Sequence, residues 1–215
     1  MKETLHQFNI ITHITFGSLA ILMGFWPIVS GKGKKIHNLS GRIYLYCVSV
    51  VLLTALCGAL FFEFRPFLFL LTVMVFYTSF VGYRTLKLKG RRPMFIDAFV
   101  QFLGLITVLA YFFIFDIDKA SMSKPVVYFT SVILMVHVLY DFGKYFYSTE
   151  YLRKSWLNDH IIRIISSFGG LICAAAGNVL DKSLQPYSQL VPSMIGYLLI
   201  AYFIYKYRYY LKPKR

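Results

Sequence analysis

Acidic residues are scarce in this chain of 215 residues: 9 Asp and Glu stand against 23 Lys and Arg, giving a formal charge of +14. Charged residues of both signs make up only 15%, well below the quarter or so of a typical water-soluble domain. Cysteine is rarer still. Cys47, Cys57 and Cys173 all fall in apolar stretches, and no Cys-x-x-Cys spacing occurs. A disulfide framework, a thiolate metal site and a redox dithiol are thereby excluded. The basic excess would suit nucleic acid in another chain, but here it is scattered between apolar blocks with no basic domain or RNA-binding motif, so no nucleic-acid partner is expected. The cations fit lipid head groups instead, as topology signals and contacts for anionic phospholipid.

Apolar residues are abundant, at 58% with mean hydropathy +0.61. They form successive blocks rather than the short periodic runs of a globular core: Asn9–Val29, Ile43–Phe62, Phe67–Tyr83, Met94–Phe115, Val126–Tyr145, Ile161–Leu180 and Leu190–Tyr205. Each is close to the length that crosses a hydrocarbon layer of about 30 Å as a helix. Backbone amides in lipid must be satisfied within their own segment, and short alternating strands of a barrel are missing, so the expectation is all-α. The chain reads as one polytopic integral membrane domain over residues 1–215, with about seven transmembrane helices. Met1–Phe8 has no cationic leader region and no small-x-small cleavage site follows, so the first helix is expected to be retained.

Basic residues alternate between the two sides of this arrangement. One side collects Lys32, Lys34, Lys35 and Arg42, then Arg84, Lys87, Lys89, Arg91 and Arg92, then Lys144, Arg153, Lys154 and Arg163, and finally Lys206, Arg208, Lys212, Lys214 and Arg215. The other holds Lys2, Arg65, Lys119, Lys124 and Lys182 with Glu63, Asp116, Asp118 and Asp181. By the positive-inside rule the N-terminus is outside and the C-terminus cytoplasmic. Tyr83, Tyr145, Tyr147, Tyr151, Tyr205, Tyr207, Tyr209 and Tyr210 lie near block borders, where a ring sits in lipid and its hydroxyl stays wet. Ser166, Gly170, Ala174 and Gly177 line one face of the sixth helix, which suggests a central position.

Ionisable side chains inside membrane segments are costly, so their positions carry the functional signal. His6 and His13 flank Asn9 on the first helix. A second group gathers at the level of the basic loops: His37 before the second helix, Asp97 and Gln101 on the fourth, His137 and Asp141 as an i, i+4 pair on the fifth, and Asp159, His160 and Arg163 opening the sixth. A carboxylate or amide beside an imidazole fixes its tautomer, whether the second nitrogen holds a metal or a proton. The plainer alternative is interfacial pairing, with Asp97 or Asp159 held by Arg42 or Arg163.

Two short motifs, His13-Ile-Thr-Phe-Gly17 and His37-Asn-Leu-Ser-Gly41-Arg42, place glycine one turn after histidine, where a neighbouring helix or a flat cofactor can approach. With Ile43-Tyr44 after the second copy, and Trp156-Leu-Asn-Asp-His160 leading to Ser166 and Ser167, the chain resembles an uncharacterised family of bacterial multi-pass membrane proteins, the domain-of-unknown-function 2306 family. That resemblance spans most of the chain, brings no activity, and implies the bacterial cytoplasmic (inner) membrane. His13, Leu22-Met23-Gly24-Phe25 and Lys34-Lys35-Ile36-His37 are also similar to the layout of two-haem cytochromes b of the ascorbate-reducible type. Those proteins take haem ligands from four consecutive helices, whereas the third and fourth blocks here hold no histidine.

Three functions follow as expectations. A haem-b electron-transfer protein would draw its ligands from His13, His37, His137 and His160, pairing His37 with His160 and His13 with His137, and would exchange electrons with a membrane redox partner or quinone. A metal-dependent membrane hydrolase would hold zinc or another divalent metal on His37, His137 and His160, with Asp97 or Asp141 as base or supporting group. A non-enzymatic carrier, sensor or assembly protein would use the same groups for proton relay or for holding helices together.

Overall fold

The computed structural model describes residues 1–114 and 124–209. Phe115, Asp116, Asp118, Lys119, Tyr210, Lys212, Lys214 and Arg215, all used above to set block ends and topology, lie outside the described residues. Seven α-helices follow in order: α1 Lys2–Val29, α2 Lys35–Phe61, α3 Pro66–Leu88, α4 Phe95–Phe113, α5 Lys124–Gly143, α6 Thr149–Val179 and α7 Tyr187–Tyr207, and no strand occurs among the described residues. All seven are long and apolar enough to cross a membrane.

Several helices run well past their apolar blocks. α1 begins at Lys2, α2 at Lys35 and α6 at Thr149, because hydrocarbon thickness sets the length of the apolar run while the helix continues into the polar layer. Local chemistry decides where each helix stops. Pro66 opens α3, where its missing N–H has no helical partner to lose. Lys89 and Gly90, at φ 45° and 84°, end α3 in the left-handed region. The Ser148 hydroxyl accepts from Tyr151 N–H at 3.2 Å and caps α6.

The chain divides into two compact units, Met1–Thr72 and Val73–Arg215. In the first, α1 and α2 pair along their length. Gly17 lies opposite Val51, Gly58 opposite Asn9 and Gly41 opposite Pro27, so small residues mark the seam, and Ala20, Tyr44, Val48 and Val51 are buried in it. At Gly17 and Gly41 an added methyl would meet its nearest neighbour at 3.9 and 4.0 Å, ordinary contact, so the His-x-x-x-Gly motifs pack helix on helix.

In the second unit α4 pairs with α5 and α6 with α7. Gly104 of α4 rests against Val138 of α5 and the Tyr77 ring of α3, while Gly82 of α3 rests against Ile164 and Arg163 of α6. The Cys173 thiol lies 3.3 Å from both the Gln189 carbonyl and the Ser193 hydroxyl, tying α6 to α7. The most enclosed apolar window belongs to α3, at 56% buried against 39% for α6. On α6 Asp159, Arg163 and Ser167 are buried, and of the small-residue face read from the sequence Gly170 is buried while Ser166, Ala174 and Gly177 are half-buried.

Candidate functional site

Polar side chains collect in the second unit where α3, α5 and α6 meet. Asp141 sits one turn after His137 on α5, and both face inward. The Tyr77 hydroxyl of α3 donates to Asp141 Oδ2 at 2.7 Å. Asp141 Oδ1 lies 2.7 Å from Lys144 Nζ and 3.0 Å from Arg163 Nη2, and Lys144 Nζ also reaches Asp159 Oδ2 at 2.9 Å. Tyr140 donates to Asp159 Oδ1 at 2.9 Å, and Arg163 Nη2 donates to the His137 carbonyl at 3.3 Å. The guanidinium also lies 5.9 and 5.8 Å from the Tyr77 and Tyr140 ring centres.

Two carboxylates therefore meet two cations, with Asp141 1% exposed and Arg163 2%. Such a set is held by mutual neutrality: each charge is tolerable in a poorly solvating interior only because an opposite charge or a hydrogen-bond donor faces it. Its edges carry unmatched capacity. His137 Nε2, Gln101 Oε1, and Arg163 Nε and Nη1 are buried without a hydrogen-bond partner. Gln101 is one turn before Gly104, whose contact with Val138 sets α4 and α5 in register, so the amide lies level with Asp141.

The four histidines singled out from the sequence share one habit. His13 Nδ1 is 2.9 Å from Thr54 Oγ1, His37 Nδ1 3.2 Å from the Pro27 carbonyl, His137 Nδ1 3.0 Å from the Ile133 carbonyl and His160 Nδ1 3.0 Å from the Gly82 carbonyl. A carbonyl only accepts, and the Thr54 hydroxyl is directed at Val50 and Val51 carbonyls, so Nδ1 donates in each case. Nε2 is then the lone-pair nitrogen.

His37 belongs to the end of the first unit's hairpin. Pro27 and Ile28 present carbonyls in the last turn of α1, and Lys32 Nζ donates to both while His37 donates to the first. Cations and N–H donors are the natural complement of a helix C-terminus. His13 is far from it: the step along α1 from His13 to Pro27 is about 21 Å at a rise of about 1.5 Å per residue. The two histidines of the first unit do not share a ligand.

Asp97 takes a different partner from those expected. Arg84, at the end of α3, grips it with Nε at 2.8 Å and Nη2 at 2.9 Å, and Asp97 Oδ2 also accepts from Met94 N–H at 2.8 Å at the start of α4. Asp159 pairs with Lys144, and Arg163 with Asp141. Asp159, His160 and Arg163 lie well inside α6 rather than at its opening. Tyr77, Tyr140 and Lys144 were not singled out from the sequence as site residues. The one local signal was the i, i+3 spacing of Lys144 from Asp141.

No group of three or more His, Cys, Asp or Glu among the described residues is arranged to hold a metal ion. The cluster's strongest acceptors are already engaged by Lys144, Arg163 and tyrosine hydroxyls, a chemistry that suits proton and charge exchange better than cation coordination. The fold and this cluster define a class: a chain whose described residues form a helical protein with seven candidate membrane spans and a buried ionic network in its second unit. Compared with protein-family models, curated proteins and solved structures, the chain matches none.

Proposed function

We propose that the protein is a multi-pass carrier of the bacterial inner membrane, with its N-terminus outside and its C-terminus cytoplasmic, in which the α3–α5–α6 cluster takes up and releases a proton at His137. The basic loops contact anionic phospholipid in this reading. One observation carries it: His137 Nε2 is buried with no partner, on an imidazole whose other nitrogen is already committed, beside an ionic network. Charged networks within membrane helices are costly to keep, and proton-coupled transport is a common reason to keep them. An imidazole with one nitrogen committed and the other unpartnered, beside such a network, offers a site at which a proton can be exchanged.

The test is proton movement. Full-length protein is reconstituted into vesicles holding a pH-sensitive dye, in sodium chloride and sodium nitrate, with the potential clamped and an inward pH step imposed. Internal acidification faster than in protein-free vesicles, and its loss in His137→Gln, is the expected result. Rates equal to empty vesicles overturn the reading.

The four Nδ1 anchors favour haem b as a second reading, because a histidine that ligates a metal usually fixes its other nitrogen in this way. His13, His37, His137 and His160 would then be the ligands and a quinone or membrane redox protein the partner. A reduced-minus-oxidised spectrum of the purified protein, with metal analysis for iron and zinc, decides it. A Soret band lost on replacing His37 or His160 supports haem, and stoichiometric zinc without colour points to the hydrolase instead.

A further inference from the structure

We infer that the second-unit cluster binds a small monovalent anion together with one proton, the anion on Arg163 and the proton on His137. The inference rests on the carrier reading and names its cargo. The charged and titratable groups around His137 are Asp141 from its own helix, Lys144 from the turn that follows it, Arg163 from α6 and, joined to these, Asp159 from α6 and Tyr77 from α3, with Gln101 of α4 at the same level. With both carboxylates ionised and both cations charged, these groups sum to zero.

A proton arriving alone would leave a net positive charge among residues that are at most 9% exposed, and an anion arriving alone a net negative one. Either is penalised in a poorly solvating interior as an unpaired buried ion is. Arriving together, they keep the cluster neutral. The same condition favours a monovalent over a divalent anion, which would need a second proton to keep the cluster neutral.

The hydrogen-bonding capacity agrees with the charge. Arg163 uses Nη2 on Asp141 and the His137 carbonyl, leaving Nε–H and Nη1–H as buried donors without acceptors. Protonation turns His137 Nε2 from an acceptor into a third donor. Gln101, 2% exposed with its amide oxygen unpartnered, supplies a fourth once the amide turns to present its NH₂. An anion supplies acceptors to donors that otherwise have none, and a guanidinium is the side chain best suited to hold it.

Proton uptake by the purified full chain is followed with an indicator in weakly buffered detergent while sodium chloride or sodium nitrate is added. One proton per chain, saturating with the anion, is expected with either salt and not with bulky gluconate. His137→Gln abolishes uptake, Arg163→Lys weakens the apparent anion affinity by at least about tenfold while keeping the charge, and Lys154→Gln, at an exposed pair with Glu150, changes neither. If His137→Gln does not fold, the Arg163→Lys shift and the gluconate comparison carry the result. Uptake that is independent of the anion, or no uptake with any salt, overturns the inference. Vesicle acidification that persists when chloride and nitrate are replaced by gluconate sinks this proposal and leaves the carrier standing. Absent acidification in every salt sinks both.

Discussion

Tyr77 and Asp141 are 64 residues apart in the chain and 2.7 Å apart in space, hydroxyl to carboxylate, and both side chains are almost wholly enclosed. That bond places α3 on α5 at the depth of the ionic cluster. Removing it leaves one carboxylate oxygen short of a donor while the cations on the other oxygen remain. Tyr77→Phe is expected to destabilise the protein by about 1–3 kcal/mol, the cost of an unsatisfied buried polar group. Thermal unfolding in detergent measures it, and an unchanged midpoint would show that Asp141 does not depend on the hydroxyl.

Lys144 bridges Asp141 and Asp159, so its loss strands negative charge on two helices. Lys144→Met should destabilise by about 3–5 kcal/mol, as for removal of one partner from a buried pair. Adding Asp159→Asn to Lys144→Met restores neutrality and should recover part of that loss. A double mutant less stable than Lys144→Met would contradict the charge balance assigned to the cluster.

Asp97 accepts two bonds from Arg84 and one from the Met94 backbone, joining the end of α3 to the start of α4. Asp97→Asn weakens the bidentate pair yet keeps an acceptor for the helix start, whereas Asp97→Ala loses both. The expected order of stability is wild type, then Asn, then Ala, with Ala down by about 1–3 kcal/mol. Equal stabilities of the two variants would mean that the helix start gains nothing from this side chain.

Gly90→Ala and Gly169→Ala separate backbone demand from simple helix preference. At Gly90 φ is 84° and an added Cβ would lie 2.5 Å from the Arg153 Cα, a contact no side-chain rotation relieves. At Gly169, inside α6, nothing lies within 4 Å of the added atom. Gly90→Ala should destabilise by about 1–3 kcal/mol, and Gly169→Ala should be neutral or stabilising by up to about 1 kcal/mol. Unfolding midpoints that move together would refute the distinction.

The seven helices were legible from the apolar blocks because a long run of apolar residues with sparse charge has few homes other than a helix in lipid. The ends of α1, α2 and α6 were not, since polar residues past the hydrocarbon carry no apolar signal while still being able to continue a helix. Asp97, His137, Asp141 and Asp159 stood out as ionisable groups near or within apolar blocks. Their partners did not. Arg84 and Lys144 lie among basic residues that a topology rule treats alike, and Tyr77 is one aromatic residue in an apolar run. Which cation meets which carboxylate depends on helix register and depth, and spacing along one chain contains neither.

At Gly90 the turn between α3 and α4 rests its main chain directly on the main chain of α6 at Arg153, with no side chain between them. Side chains act as cushions, absorbing small sliding motions by changing rotamer; bare peptide against bare peptide has no such slack. A twist or slide of α6 should therefore be handed to that turn as a push, much as a cam drives its follower, and the loop would report any working stroke of the helix that carries Arg163.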